Sequence, residues 1–524
     1  MKRILFTLIV LKALTWDFSL HAQQWVTEID SDRTLSLLHC IPVDNGDAML
    51  SAGYSTVELQ GGIDAMGSVV KVRSDGTYTR REIRKEGKKL YLLTATALDD
   101  GNYMVCGTFD DTTLMASNDF FRHLAVMVLD SDLNTVAERS YRVDTEGFEG
   151  FRPVQSSMMR CTKATEGNVI LGTCLSYFTP DQYGGKYESR YRFYELDPTG
   201  DTVRSVTQPQ NFNGLTQSGI YIENLFPNPT TGGFTFVGWG NYSPSYCGGY
   251  GIWNLGSNLE ITSKHPMKFG SYPFYFSPVK MSCEGRWYDD GLFLTFTENT
   301  SGVNTWDNAG WLHLTDTLAG KHASVMLPPT DSVNSPDRGC CTAYVNDSTI
   351  FAVTYCYSMN NMTGPVHTNI ILLDKHLNIL GRTTIHPSGT YCFPSEPVAL
   401  NDGSVVAPVY MIPEDGIIRS YIYSYRRDDI EITWDVVDES SPEQGSSAYP
   451  NPASDKLHIP VDHIEPGVTR LRIISSDGMP CVDAAISTEG NLIAVDVGNL
   501  APGIYVYQVV TNAKVNANGK FIKE

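Results

Sequence analysis

Carboxylates and aromatic rings in the long polar segments are the residues of this sequence best suited to chemistry. Paired carboxylates can act as acid and base in glycoside cleavage, and the candidates are Asp110, Asp111, Asp119, Asp181, Glu188, Glu298 and Asp307. Sequence separation does not select a pair among them. The sequence also lacks GxSxG, HExxH, a Walker loop and a Rossmann glycine fingerprint. No catalytic residue is therefore assigned, and a non-enzymatic protein is favoured.

Aromatic residues in the same segments form the candidate binding surface. Exposed rings stack on sugar faces or anchor protein partners. The candidates are Tyr177, Phe178, Tyr183, Tyr187, Tyr242, Tyr246, Trp306 and Tyr357. The same rings could instead fold back over neighbouring strands as local packing, so both interpretations stay open.

No cofactor or metal is expected. The sequence has no CxxC and no paired Cys/His spacing of the kind that binds zinc. The segment 130–134 begins like a calcium loop, but the glycine at its sixth place and the glutamate at its twelfth are absent. Because similar polar turns recur between apolar segments, a hairpin is the favoured interpretation.

Residues 33–437 repeat a pattern of apolar segments separated by tight polar turns. The first turn of each repeat is anchored at position 46, 101, 167, 232, 291, 347 or 403, with spacings of 55 to 66 residues. Most of these turns carry glycine, which supplies the positive φ that hairpins often need. Two hairpins per repeat predict a four-stranded antiparallel sheet. The expected fold is all-β, a seven-bladed β-propeller, with eight blades or a split sandwich as alternatives.

Propeller closure requires pairing between the two ends of the repeat region. We expect residues 24–29 to pair beside residues 430–437. Cys40, Cys161 and Cys341 each precede their turn anchor by six residues. They are predicted to be packing residues, because equivalent positions lie in separate sheets.

Long variable segments separate the second and third strands of the repeats, and others connect successive repeats. In a propeller both kinds lie at the same end, which makes that end the expected binding surface. Within repeats they are 54–68, 109–122, 178–190, 241–249, 298–309 and 358–367, and between repeats they include 140–153 and 264–276.

The N-terminus has the pattern of a secretory signal peptide over residues 1–22. Lys2 and Arg3 precede an apolar stretch, and Leu20-His21-Ala22 forms a plausible cleavage site. Removing residues 1–22 takes away three basic residues and one acidic residue, which leaves 36 Lys+Arg against 58 Asp+Glu. Such an acidic chain repels phosphate backbones and anionic headgroups, so we expect no nucleic-acid partner. No transmembrane segment is expected in the mature chain.

A polar segment, 438–448, separates the repeats from four ordered motifs near the C-terminus. The motifs are Tyr449-Pro450-Asn451-Pro452, Asp477-Gly478, Pro502-Gly503 with Tyr505, and Gly519-Lys520. Their order closely resembles the type A C-terminal sorting domain of the type IX secretion system. The resemblance implies an immunoglobulin-like β-sandwich, transit through the periplasm, and the type IX machinery with its surface sortase as partners.

These observations predict a signal peptide at 1–22, a β-propeller at 23–437, a linker at 438–448 and a sorting domain at 449–524. The leading hypothesis is a secreted or cell-surface protein of the outer membrane that binds a glycan or a protein through its long-loop face. The alternative is a secreted glycan-degrading hydrolase or lyase with carboxylates at the propeller mouth.

Overall fold

The structure, a computed structural model, contains two compact units, unit 1 (Met1–Thr433) and unit 2 (Trp434–Glu524). The expected signal peptide and residues 438–447 of the expected linker lie outside the described residues. Within the described ranges, no helix has the length and apolar character that a membrane crossing requires. The described residues are 25–29, 33–59, 62–111, 122–141, 152–164, 166–179, 186–208, 221–228, 231–241, 248–266, 285–288, 291–299, 310–315, 321–327, 338–346, 349–357, 365–385, 391–412, 418–430, 448–461, 469–475, 480–486, 492–511 and 514–524.

The described part of unit 1 consists of β-strands in seven antiparallel sheets, numbered here in chain order. Its first strand, β1 (Val26–Ile29), belongs to sheet 7. Sheet 1 contains β2 (Thr34–Val43), β3 (Ala48–Leu59), β4 (Gly62–Arg73) and β5 (Tyr78–Ile83). Sheet 2 contains β6 (Lys88–Ala97), β7 (Tyr103–Asp111), β8 (Arg122–Leu129) and β9 (Thr135–Tyr141). Sheet 3 contains β10 (Arg152–Lys163), β11 (Val169–Thr179), β12 (Lys186–Leu196) and β13 (Thr202–Thr207). Sheet 4 contains β14 (Tyr221–Asn228), β15 (Gly233–Asn241), β16 (Gly248–Leu255) and β17 (Ile261–Pro266). Sheet 5 contains β18 (Gly285–Tyr288), β19 (Gly291–Asn299), β20 (Gly310–Thr315) and β21 (Lys321–Leu327). Sheet 6 contains β22 (Arg338–Asn346), β23 (Thr349–Tyr357), β24 (Pro365–Leu373) and β25 (Ile379–Ile385). Sheet 7 contains β1 together with β26 (Tyr391–Pro394), β27 (Val398–Ala399), β28 (Val405–Ile412) and β29 (Arg419–Tyr425). The prediction of an all-β chain with repeated four-stranded antiparallel sheets is confirmed.

The tight turns form where the glycine pattern places them. Gly101, Gly167 and Gly403 have φ values of 83°, 90° and 79°, a region that residues with a Cβ rarely adopt. The segment that begins like a calcium loop is a hairpin turn between β8 and β9, as expected. The Asp130 carboxylate accepts hydrogen bonds from the backbone N–H groups of Asn134 and Asp132, and these bonds lower its pKa.

The N-terminal strand closes sheet 7. β1 pairs antiparallel with β29, with Val26 opposite Tyr423. Strand donation between the chain ends is therefore confirmed, with residues 420–423 as the described partner. Residues 431–437 of the predicted partner lie outside the described residues. β29 ends at Tyr425, and a 3-10 turn at Arg427–Asp429 follows it.

Apolar cores lie between successive sheets. One buries Val69 of sheet 1 with Leu92 of sheet 2, and another buries Val72 of sheet 1 with Val406 of sheet 7. The packing prediction for cysteines is confirmed at three equivalent places: Cys40, Cys161 and Cys341 are 8%, 6% and 4% exposed.

The predicted loop at 54–68 is wrong. β3 and β4 run through it, and Tyr54 to Leu59 pair with Gly62 to Gly67. Both segments continue the antiparallel pairing as far as Leu59 and Gly62. The other predicted loops are likewise shortened by strands that reach into them.

The described part of unit 2 contains two sheets around one core. The strands are β30 (Lys456–Pro460), β31 (Thr469–Ser475), β32 (Pro480–Ile486), β33 (Leu492–Asp496), β34 (Gly503–Thr511) and β35 (Lys514–Lys523). β30 pairs with β33, and the other sheet has the order β32-β31-β34-β35. Ile459 and Ile493 of the first sheet share a buried cluster with Ile473 and Tyr507 of the second.

Candidate functional site

The first strands of the sheets of unit 1 approach one another. β2, β6, β10 and β14 are neighbours in series, and β2 also contacts β27 of sheet 7. We call the first strands the inner strands. The loop end of a sheet is where its second strand joins its third, and the turn end is opposite.

Inner strands are interrupted by β-bulges part-way along their length. In sheets 1 and 2 the register shifts between Leu37 and His39 and between Leu92 and Thr94. Glycines stand opposite, and a Cβ on Gly107 would lie 2.0 Å from the carbonyl oxygen of Tyr91. A bulge re-aims a side chain. The inner strands β2, β6 and β10 are also edge strands of their sheets, so their outward-facing backbone N–H groups need acceptors from elsewhere.

Side chains from the preceding sheet accept these hydrogen bonds. The N–H of Cys40 in sheet 1 donates to Oε2 of Glu396 in sheet 7 at 3.4 Å. The N–H of Ala95 in sheet 2 donates to Nδ1 of His39 at 3.1 Å. The N–H of Cys161 in sheet 3 donates to Oγ1 of Thr94 at 3.1 Å. We call Glu396, His39, Thr94 and Arg160 the axial cluster.

Arg160 connects sheet 3 to sheet 7. Its Nη2 donates to Oε1 of Glu396 at 2.7 Å, and its Nη1 donates to the carbonyl oxygen of Met159 at 3.1 Å. Arg160, His39 and Glu396 are 7%, 6% and 9% exposed. The cluster is therefore an almost dry ion pair with a histidine beside it.

The hydrogen bonds fix the tautomer of His39. Its Nδ1 accepts from a backbone N–H, so the ring proton of the neutral imidazole lies on Nε2. Nε2 faces Oε2 of Glu396 at 3.8 Å, which is longer than a hydrogen bond. Because the basic nitrogen is occupied and the carboxylate is paired with a guanidinium, this cluster has no group arranged as a general base.

Half-buried aromatic rings lie toward the loop end on the first and second strands of several sheets. Tyr54 of sheet 1 and Tyr91 of sheet 2 meet edge to face with ring centroids 5.0 Å apart. Phe393 and Tyr410 of sheet 7 stack at 5.1 Å, and Tyr355 of sheet 6 lies 6.4 Å from Phe393. Strands hold these rings at the junctions between sheets 1 and 2 and between sheets 6 and 7.

The sequence-predicted binding residues divide into two groups. Tyr177, Phe178, Tyr187 and Tyr357 lie in strands near the loop end rather than in loops. Phe178 is the partner of Tyr187 across β11 and β12. The other four lie outside the described residues: Tyr183, Tyr242, Tyr246 and Trp306. The role of all eight residues in binding stays a prediction.

The candidate carboxylates are not brought into one described cluster. Asp110 lies in β7 and is 6% exposed. Asp111, Glu188 and Glu298 lie in strands of three different sheets, and Asp119, Asp181 and Asp307 lie outside the described residues. Sequence reasoning missed the axial cluster and the five strand aromatics. The one sequence signal of the axial cluster was the pair of glycines opposite the bulges, Gly53 and Gly107.

In unit 2 the first and last sequence motifs meet. Oδ1 of Asn451 accepts the N–H of Ile522 at 2.9 Å, and its Nδ2 donates to the carbonyl oxygen of Lys520 at 3.3 Å. The neighbouring Pro450 and Pro452 both follow cis peptide bonds. This segment therefore covers part of the edge of β35.

The remaining motif residues have local structural roles. Tyr505 donates to the carbonyl oxygen of Ala501 at 2.7 Å, and its ring stacks on Phe521. A Cβ on Gly519 would lie 2.6 Å from the hydroxyl of Tyr507. Tyr449 is 50% exposed and stacks on His458. Pro502 and Gly503 are exposed, whereas Asp477 and Gly478 lie outside the described residues.

Residues 447–524 match the family of the secretion system C-terminal sorting domain. The match confirms the resemblance found in the motifs and implies the type IX secretion machinery as a partner. It supports a secreted or cell-surface protein. The rest of the chain has no family match, and no curated protein sequence matches the chain.

Solved structures similar to the chain include β-propellers. The Dos1 propeller is 10% identical over 77% of this chain and 95% of that one, with a TM-score of 0.40. The β-propeller domain of the Trilobed protease from Pyrococcus furiosus is 9% identical over 79% and 100%, with a TM-score of 0.36. A protein of unknown function from Dyadobacter fermentans is 9% identical over 76% and 99%, with a TM-score of 0.41.

Proposed function

We propose that the chain is a secreted or surface-exposed seven-bladed β-propeller. It binds a glycan or a protein at its loop end and does not catalyse a reaction on that ligand. In this proposal residues 1–22 direct it to the periplasm. The C-terminal unit is an immunoglobulin-like sandwich that carries it across the outer membrane through the type IX machinery.

The seven-blade proposal is supported by the arrangement of the sheets. Each described sheet of unit 1 follows the previous one along the chain, and apolar cores join sheets 1 to 2, 2 to 3, 3 to 4, 5 to 6, 6 to 7 and 7 to 1. Pairing of β1 with β29 lets the N-terminus complete the last sheet. Radial packing of such sheets is the arrangement that defines a propeller.

Binding at the loop end rests on one observation: partly exposed aromatic rings lie toward the loop end on strands of sheets 1, 2, 6 and 7. Rings held on strands lose little conformational entropy when a ligand stacks on them. The paired axial cluster supports binding over hydrolysis, because acid–base catalysis needs a carboxylate or imidazole with a free proton position.

A glycan array and a protein-capture experiment with residues 23–524 test the binding proposal. We expect a saturable ligand and no new reducing ends when polysaccharides are incubated with the protein. Release of reducing ends or unsaturated products would establish the hydrolase or lyase alternative instead.

Deletion of residues 449–524 tests the export proposal. We expect the truncated chain to accumulate in the periplasm, because the segment recognised for outer-membrane passage is gone. A substitution within unit 1, such as Lys375→Gln on an exposed turn, serves as the control and should leave export unchanged. Normal amounts of the truncated chain in the medium would contradict the proposal.

A further inference from the structure

The four-stranded sheet of unit 2 has exposed isoleucines on its outer face. Side chains along β34 and β35 alternate between the core and the surface, as expected for strands. Tyr505 and Phe521 belong to the core and are 5% and 1% exposed, whereas the adjacent Ile504 and Ile522 are 54% and 46% exposed. Ile504 stands directly opposite Ile522 in the antiparallel register. The two isoleucines are therefore neighbours on the surface.

Partly exposed aliphatic side chains extend this pair across the sheet. Val506 lies two residues after Ile504, on the same face of β34, and stands opposite Ile474 of β31. Val506 and Ile474 are both half-buried. We call Ile474, Ile504, Val506 and Ile522 the outer apolar patch. Single exposed aliphatic residues are ordinary, but a contiguous group of them on three neighbouring strands is typical of a contact surface.

Basic residues border the outer apolar patch. Lys520 is exposed and stands opposite an uncharged residue, Val506. Arg472 lies two residues before Ile474 on β31, and Asp483 of the edge strand β32 stands opposite it. The positive charge is thus least compensated across the strands at Lys520. This border differs in sign from the whole chain, which has 39 Lys+Arg against 59 Asp+Glu.

The composition of this face defines the surface that would cover it. A complementary surface is apolar at its centre and carries carboxylates where it meets Lys520 and Arg472. A second copy of the chain is a poor match, because a two-fold contact would place both sets of basic residues in one interface. An anionic membrane surface is also disfavoured, since the chain has a net charge of −20. An acidic, apolar-centred protein surface is the best match.

Unit 2 belongs to the part of the chain that matches the sorting-domain family, so the secretion machinery is the partner that must recognise it. We propose that the outer apolar patch, together with Lys520, is the surface of unit 2 that the type IX machinery binds, through an apolar surface rimmed by carboxylates. This inference rests on the proposed export function and assigns it to named residues. Ligand binding by unit 1 does not enter it.

Export of the full chain from cells that carry the type IX machinery tests the apolar patch. Ile504→Thr/Ile522→Thr removes apolar surface but keeps β-branched side chains, which suit strands. We expect the initial rate of appearance outside the cell to fall by about tenfold or more, with the chain retained in the periplasm. Export of this variant at the wild-type rate would overturn the inference.

Two control variants separate this surface from exposed aliphatic residues in general. Leu492→Thr changes a residue that is 36% exposed in β33, in the other sheet of unit 2. Val136→Thr/Val203→Thr changes two residues of unit 1 that are 60% and 56% exposed. Both variants should be exported like the wild type, and loss of export in either would overturn the inference. Thermal unfolding of each purified variant checks that it is folded.

The Lys520→Glu variant tests the basic border and keeps the inference testable if Ile504→Thr/Ile522→Thr does not fold. We expect its export rate to fall by about tenfold, because glutamate would oppose the carboxylates of the partner. Lys520→Arg keeps the charge and should be exported normally. Lys456→Glu is the matched control, at an exposed position of β30 in the other sheet. Equal export of the two glutamate variants would overturn the inference.

Photo-cross-linking in cells identifies what covers the face. A photoreactive phenylalanine analogue at position 522 should form an adduct with a component of the type IX machinery, through a peptide that contains Asp or Glu, whereas the same analogue at position 492 should not. An adduct between two copies of the chain, or adducts with proteins outside the machinery alone, would overturn the inference.

Deletion of residues 449–524 distinguishes failure of this inference from failure of the export proposal. If the truncated chain is exported normally, the export proposal itself fails. If the deletion blocks export but Ile504→Thr/Ile522→Thr and Lys520→Glu do not, only the assignment of the outer apolar patch fails.

Discussion

Replacing Arg160 with methionine removes one partner of the buried ion pair in the axial cluster. The side chains of Arg160 and Glu396 are only 9% and 11% exposed, so the remaining carboxylate would lie almost out of water without its cation. Breaking a buried pair in this way costs about 3 to 5 kcal/mol, and the residual exposure places the expected loss near the lower figure. Methionine keeps most of the side-chain volume, so cavity formation adds little.

Urea denaturation of residues 23–524 measures this loss. Apart from Trp434, every tryptophan of the sequence lies within unit 1, so the fluorescence transition reports mainly that unit. We expect Arg160→Met to lower its free energy of unfolding by about 3 kcal/mol. The double variant Arg160→Met/Glu396→Gln should recover much of the loss, because glutamine carries no charge but keeps an oxygen for the N–H of Cys40.

Two results would refute this reasoning. One is a single variant within about 0.5 kcal/mol of the wild type, as for an ordinary surface substitution. The other is a double variant as unstable as the single one, since the cost would then not come from an unpaired carboxylate.

Three further predictions concern other parts of the chain. Gly107→Ala should destabilise unit 1 by about 2 kcal/mol or more, because its Cβ would lie 2.0 Å from the carbonyl oxygen of Tyr91; thermal unfolding that matches the wild type would contradict the bulge geometry. Burial raises the pKa of Asp44, but hydrogen bonds from Tyr103 and Lys71 outweigh it and hold that pKa below its usual value. The stability difference between the wild type and Asp44→Asn should therefore be constant above about pH 5 and shrink as the pH falls below about 4, in thermal scans across that range; a difference that grows on acidification would have the wrong sign. Asn451→Ala removes two hydrogen bonds to the backbone of β35 and should lower the stability of isolated residues 447–524 by about 1 kcal/mol, measured by urea denaturation, whereas Asn499→Ala on an exposed turn should not.

The sequence was informative wherever local chemistry determines structure. Gly101 and Gly403 mark tight turns because few other residues adopt their positive φ, and apolar segments between such turns predict strands. The four C-terminal motifs identified the sorting domain because their order is specific.

The axial cluster could not be predicted in this way. His39, Arg160 and Glu396 come from sheets 1, 3 and 7, and bulges that shift the register by a residue decide which side chains reach the cluster. The segment 54–68 looked like a loop because it contains several glycines and polar residues. It forms strands because tertiary pairing outweighs local propensity.

Hydrogen exchange of residues 23–524 with and without the ligand selected by the glycan array or the protein-capture experiment tests the central claim most directly. The claim is that the loop end binds a ligand and releases it chemically unchanged. We expect slower exchange in peptides covering residues 54–67, 88–95, 353–357 and 391–397, with intact ligand recovered at the end of the experiment. Protection confined to the hairpins of the turn end, or recovery of cleaved ligand, would contradict it.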